Sequence, residues 1–143
     1  VNNCLPHIDK FLENGYTKEE IKMIDETRKI LGIPDLPVTA TCVRVPVMNS
    51  HSVSITAELE RDFDLEELKE ALGNFAGMVL VDDVNSNEYP LASDATGQDK
   101  VLVGRVRRDF STEKGINLWV VADNIRKGAA TNAVQIAELF RGM

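Results

Sequence analysis

The 143-residue chain carries a formal net charge of −7, with 43% hydrophobic and 27% charged residues, a balance that suits one soluble globular domain with a real core. That charge excludes an electrostatic nucleic-acid binder, so an anionic ligand must be met by local basic groups. No apolar run approaches the ~20 residues of a membrane span, and the first residues lack the basic-then-apolar pattern of a secretory leader.

Residues 1–16 read as a lead-in. Thr17-Lys-Glu-Glu20 is a capping box, in which hydroxyl and carboxylate each satisfy a free backbone donor. The helix it opens is predicted to run to about Leu31, with Ile21, Ile24, Arg28 and Leu31 on one face. Gly32 stops it, and Pro34 and Pro37 bar its continuation. Val38 to Met48 is rich in Val and Thr and predicts a strand, with Pro46 marking an edge or a bulge. After the Asn49-Ser50 turn, Ser52 to Leu59 alternates apolar and polar residues, as a half-buried strand does. These two strands are candidates for antiparallel neighbours.

Asp64-Leu-Glu-Glu67 is a second capping box, opening a helix to about Leu72 that ends at Gly73. Gly77 to Asp82 predicts a third strand. Residues 83–99 are polar and turn-rich, with a short strand near Tyr89. Val101–Arg107 and Ile116–Ala122 predict an antiparallel hairpin across the polar loop Asp109–Gly115. Asn124 to Gly128 leads into a last helix whose small residues permit close packing. The order predicts an α+β fold: a mixed, largely antiparallel sheet with helices packed on one face. Without repeats or convincing linkers, residues 1–143 read as a single domain portion.

The stretch Thr41-Cys-Val-Arg-Val-Pro-Val-Met-Asn-Ser-His51 is richest in chemistry. Arg44 offers a rigid, always-charged fork for a carboxylate or phosphate. His51 is either a surface turn residue or a general acid/base held at a strand end. Their odd separation puts them on opposite faces of a continuous strand, so a shared pocket requires Pro46 and the Asn49-Ser50 turn to re-aim the chain. Glu19 and Lys22 share a helix face at i and i+3. They are either a solvated pair or a bipolar clamp for an ammonium and a phosphate. Arg105, Arg107 and Arg108 form a basic cluster, Arg105 and Arg107 on one strand face, of the kind usually salt-bridged or turned to an interface. Asn124-Ile-Arg-Lys-Gly-Ala-Ala130 precedes a helix, where free backbone donors receive an anion or amide. The two cysteines, Cys4 and Cys42, read as thiols in a cytoplasmic protein, and with only two histidines they leave almost no ligand set for a metal.

Taken in order, several stretches resemble a known family: Pro6-His-Ile-Asp9, Gly15-Tyr-Thr-Lys-Glu-Glu-Ile-Lys22, Glu26-Thr-Arg-Lys-Ile-Leu31, Thr41-Cys-Val-Arg-Val-Pro-Val47 followed by His51, Val103-Gly-Arg-Val-Arg-Arg-Asp109, and Leu118-Trp-Val-Val-Ala-Asp-Asn-Ile-Arg-Lys-Gly-Ala-Ala130 followed by Asn132-Ala-Val-Gln-Ile-Ala-Glu138. They look like the catalytic and dimerisation domain of aspartate-semialdehyde dehydrogenase. The ordered set, rather than any one motif, carries the resemblance.

The resemblance implies an oxidoreductase that converts aspartyl phosphate and NADPH to aspartate semialdehyde and phosphate, in lysine, threonine and methionine biosynthesis. It implies roles by position. His51 matches the acid/base, Arg44 the group that grips the substrate carboxylate, Glu19 the one that holds its amino group, and Lys22 the phosphate-binding lysine. Asn124 matches the amide that meets the nicotinamide end of NADP. A homodimer or homotetramer is implied, with small-molecule substrates and neither nucleic acid nor membrane as partner.

Two departures qualify the match. No GxGxxG follows an early strand. Asn3-Cys4 imitates the family's nucleophile dipeptide but is followed by Leu5-Pro-His-Ile-Asp9, which matches a later segment. The nucleophile and the N-terminal dinucleotide-binding domain are therefore expected outside this chain, which alone is expected to be inactive. The alternatives are a noncatalytic dimerisation module and the related reductase of N-acetylglutamyl phosphate. The Glu19/Lys22 helix start and the Arg44…His51 spacing speak against the reductase.

Overall fold

A computed structural model describes residues 2–142. The chain divides into two compact units, Val1–Pro46 and Val47–Met143.

The first unit is built on α1, Lys18–Leu31. Both bonds of the expected capping box form: the Glu20 N–H donates to Thr17 Oγ1 at 3.3 Å, and the Thr17 N–H donates to Glu20 Oε2 at 2.8 Å. The helix ends at Gly32, whose φ of +68° is left-handed backbone that a residue without Cβ adopts unstrained. Arg28 Nε donates to the Leu36 carbonyl at 2.9 Å, which ties the proline-rich exit to the last turn.

The strand expected over Val38–Met48 does not form. Leu36, Val38, Ala40 and Cys42 are half-buried and the residues between them exposed, so this stretch keeps the two-residue alternation of an extended chain. Among the described residues it has no neighbouring strand. Its ladder bonds are the pair between Arg44 and Leu5, at 2.8 and 2.9 Å. Propensity selects extended backbone, but a strand also needs a partner, and Pro46 has no N–H to offer one.

In the second unit, β1 (His51–Glu58), β2 (Met78–Leu80), β3 (Val101–Asp109) and β4 (Gly115–Ala122) form one sheet in the order β1-β4-β3-β2. The β2–β3 pairing is parallel and the other two are antiparallel. The α+β class with a mixed, largely antiparallel sheet is thus what the chain adopts, and β3 and β4 are the expected hairpin. The partner of β1 is β4, not the Val38–Met48 stretch.

Helix α2, Leu65–Asn74, starts at Asp64, whose carboxylate accepts from the Glu66 and Glu67 N–H groups at 2.9 and 3.0 Å. It runs one residue past Gly73. Its Leu65, Leu68 and Leu72 pack on a core of Val103, Val106 and Ile116. On the other face of the sheet, Leu102 and Val121 pack with Ala95 of α3, Ala92–Ala95. This one-turn helix stands beyond Tyr89, where a short strand was expected; the pairing there is a single bridge between Asp83 and Glu88.

Val103 and Val106 reach the same core although they stand an odd three positions apart. A β-bulge between Gly104 and Arg107 makes this possible. Arg105 takes φ +54° there, and the nearly buried Asp82 carboxylate accepts the Arg105 and Val106 N–H groups at 2.7 and 3.2 Å. The regular strand face expected to hold Arg105 and Arg107 is therefore broken. Arg108 bridges Asp62 at 3.2 Å and lies 4.2 Å over the Phe63 ring, so it is one of the salt-bridged arginines anticipated for this cluster. After β4, Arg126–Ala130 forms a π-helical turn that leads into α4, Thr131–Arg141. Among the described residues no helix is long and apolar enough to cross a membrane.

Candidate functional site

In the first unit, α1 carries Glu19 and Lys22 in its opening turns. Their side chains meet at 3.5 Å and both stay accessible to solvent. A carboxylate and an ammonium held side by side present opposite charges to one ligand, and a free pair this exposed gains little from the contact itself. Between them in sequence, Glu20 is buried. Its second oxygen, Oε1, accepts the N–H of Cys42 at 2.9 Å. Donation from the Thr17 backbone, and then from that of Cys42, holds the Glu20 carboxyl below the usual carboxylate range. Burial, and then the charges of Glu20 and Glu19, push the Cys42 thiol up. Arg44 follows two residues later, exposed, its backbone fixed by the two bonds to Leu5.

In the second unit, His51 is the first residue of β1 and is exposed. The interruption expected ahead of it is present. Bends occur at Pro46 and at Met48–Asn49, and buried Ser50 sits in left-handed backbone at φ +72°. The antiparallel register sets His51 opposite Ala122, the last residue of β4. Asn124, half-buried, follows two residues beyond. The sheet thus brings His51 and Asn124 to the same end. Glu19, Lys22 and Arg44 belong to the first unit and His51 and Asn124 to the second.

Asp123 fixes that end of the sheet, and nothing in its sequence context marked it. It is buried, and its carboxylate accepts from the Gly97, Ile125 and Arg126 N–H groups at 2.8, 2.9 and 3.1 Å. The Gly97 donor above all holds its carboxyl below the usual range. The adjoining Thr96 Oγ1 lies 3.4 Å from Ser50 Oγ. The Thr96–Gly97 turn therefore touches the residue before His51 and the residue before Asn124. Arg126 is held in turn by a bidentate pair with Asp99, at 2.7 and 2.9 Å. The Gly97 bond to Asp123 and the Asp99–Arg126 pair join residues distant in sequence, so only the folded chain reveals them. The signal available for Glu20 was its place in the capping box, which accounts for one of its two oxygens.

For a dinucleotide, these residues offer one amide at Asn124. The sequence contains no glycine-rich strand-to-helix turn to cradle its phosphates. Among the described residues no group of three His, Cys, Asp or Glu side chains is placed to hold a metal ion. Cys4 and Cys42 are both free thiols, Cys4 exposed and Cys42 half-buried.

Comparison with known proteins places this architecture. The family model described as semialdehyde dehydrogenase, dimerisation domain, matches residues 1–127. The chain is 57% identical over 138 residues to the aspartate-semialdehyde dehydrogenase of Aquifex aeolicus, covering 96% of this chain and 41% of the relative. It is 51% identical over 140 residues to the Bacillus subtilis enzyme of that name, covering 97% and 40%. Aspartate semialdehyde dehydrogenase II from Vibrio cholerae, solved in complex with ASA, superposes with a TM-score of 0.90 at 53% identity, over 96% of this chain and 40% of that one. The chain thus spans about 40% of the length of the curated relatives it matches. With the mixed sheet, the α1 start and the β1–β4 register in place across that span, the chain belongs to the semialdehyde dehydrogenase dimerisation-domain family.

Proposed function

We propose that the chain is part of the catalytic and dimerisation domain of a cytoplasmic, NADP-dependent aspartate-semialdehyde dehydrogenase. The reaction takes L-aspartyl 4-phosphate, NADPH and a proton to L-aspartate 4-semialdehyde, NADP and phosphate, on the route to lysine, threonine and methionine. The observation that carries this reading is the placement of His51 and Asn124 at one sheet end, in a chain 57% identical to an enzyme of that name.

The substrate is an amino acid bearing a phosphate, so it needs a cation for its carboxylate, an anion for its ammonium and a second cation for its phosphate. Arg44, Glu19 and Lys22 supply these in turn. A guanidinium that takes the carboxylate through two parallel bonds fixes orientation as well as charge, and a fixed orientation removes part of the entropic barrier. His51 takes the proton of the attacking thiol and returns it to the departing sulfur as the tetrahedral centre collapses to the aldehyde. Bound NADPH supplies the hydride, with Asn124 meeting its nicotinamide end. In this reading the thiol nucleophile and the remainder of the dinucleotide site lie outside residues 1–143. The functional unit is a homodimer or homotetramer.

Steady-state kinetics of the intact dehydrogenase that contains this segment test the clamp. Arg44→Lys keeps the charge and loses the fork, and the predicted rise in KM for the amino-acid substrate is about tenfold or more. An unchanged KM contradicts the role of Arg44. The 143-residue chain alone is expected to oxidise no NADPH, and robust turnover by it overturns the assignment of the nucleophile elsewhere. Preference of the intact enzyme for the N-acetylglutamyl substrate indicates the related reductase. Dimer formation without substrate binding indicates a noncatalytic association module.

A further inference from the structure

We propose that Glu20 is the positioning residue of the substrate clamp, joining through one carboxylate the helix that carries Glu19 and Lys22 to the extended segment that carries Arg44. The inference rests on the reading above, in which those three residues hold the substrate.

A helix-start glutamate in a capping box reaches back to one backbone N–H. Glu20 does this with Oε2, to Thr17 at 2.8 Å. Its other oxygen leaves the helix and accepts the N–H of Cys42, 22 residues further on, at 2.9 Å. Glu19 precedes Glu20 by one residue, Lys22 follows by two, and Arg44 stands two beyond Cys42. The extended segment has no strand ladder to fix it. Its backbone ties on this stretch are the Cys42 bond to Glu20 and the Arg44 bonds to Leu5. Without the Cys42 bond, the ties of this segment to the helix side are Arg28 Nε to the Leu36 carbonyl at 2.9 Å and Tyr16 Oη to Thr39 Oγ1 at 3.2 Å, both further along the chain from Arg44.

The chemistry calls for a carboxylate at this point. Two backbone donors converge on it, and each oxygen takes one. Glutamine has the same length but a single acceptor oxygen, and its NH₂ group would face the second N–H. A buried residue that loses one of two such bonds leaves a donor unsatisfied. Burial of the charge is sustained because both donors stabilise the ionised form, which is also why the carboxyl is held below its usual range.

The rival explanation is that Glu20 only caps α1. Thr17→Ala separates the two roles. It removes the hydroxyl that accepts the Glu20 N–H and leaves both carboxylate bonds in place. In the intact dehydrogenase, assayed in the direction of semialdehyde oxidation, Glu20→Gln is expected to raise KM for the semialdehyde and for phosphate together. The expected rise is about tenfold, within the 10²-fold that a misplacement of about 1 Å brings, with kcat changed less. Thr17→Ala is expected to lower the melting temperature and leave both KM values unchanged. Equal KM increases in the two variants overturn the proposal in favour of simple capping. Wild-type KM values in Glu20→Gln, alongside a raised KM in Arg44→Lys, overturn the role of Glu20 and leave the functional reading standing. Wild-type KM values in both overturn both.

A second measurement stands even if Glu20→Gln does not fold. Hydrogen exchange on the unaltered intact dehydrogenase is expected to show a protected Cys42 amide. Exchange at the rate of an open chain overturns the proposal, because the bond on which it depends is then not held.

Discussion

Asp123 and Glu20 show how single carboxylates organise the neighbourhoods of the candidate site. Each is buried and each accepts backbone N–H groups from more than one segment. Donation to the ionised form lowers both carboxyls, and the Arg126 pair does the same for Asp99. A carboxyl lowered by folding binds fewer protons in the native state than in the unfolded chain, so acid favours unfolding. The stability these groups contribute is complete above the ordinary carboxylate value of about 4 and is lost as pH falls through their lowered values. The melting temperature of the chain, followed by circular dichroism, is therefore expected to be level from neutrality to about pH 5 and to fall below about pH 4. Asp123→Asn should flatten part of that fall, because one titrating group has gone. A melting temperature independent of pH down to about 3 contradicts this account of the two carboxylates.

Among the elements, those with local signals are the ones that can be read from sequence. Helix α1 has its hydroxyl, its glutamate and its terminal glycine within sixteen residues, and each acts on a near neighbour. The β3–β4 hairpin is equally local. The bulge in β3 is not, because the Asp82 carboxylate that fills it comes from outside the strand. Nor is the fate of Val38–Met48, where residue type dictates an extended chain but a distant partner decides whether it becomes a strand. The one-turn helix Ala92–Ala95 has no side-chain cap to announce it. It owes its place to packing on Leu102 and Val121. Gly104 belongs to the same nonlocal group. A Cβ built there would lie 2.1 Å from the Val81 carbonyl oxygen and 2.6 Å from Pro90 Cδ. Backbone on one side leaves no flexible atom to yield, so Gly104→Ala is expected to destabilise by about 1–3 kcal/mol or more. Denaturant titration checks this, and a midpoint equal to wild type contradicts the close approach.

At the scale of the whole molecule, the candidate residues fall in two compact units. The first holds the charged groups suited to recognition, Glu19, Lys22 and Arg44; the second holds His51 and Asn124. The types of residue were visible in the sequence, but their roles were not. Composition and periodicity favoured a surface histidine at His51, and the odd Arg44…His51 spacing argued against a common strand face. In the structure the two residues do not share a strand, and Ser50 between them takes left-handed backbone. The ordered resemblance supplied the chemistry, and the family match over residues 1–127 bears out the family. The central functional claim is that His51 handles protons in the proposed reaction, and kcat for His51→Ala in the intact dehydrogenase tests it most directly. His51 is exposed at a strand end, so its loss should leave the fold unchanged. The account predicts a fall in kcat of about 10²–10⁴-fold with KM for the amino-acid substrate near wild type; a kcat within about twofold of wild type would contradict it.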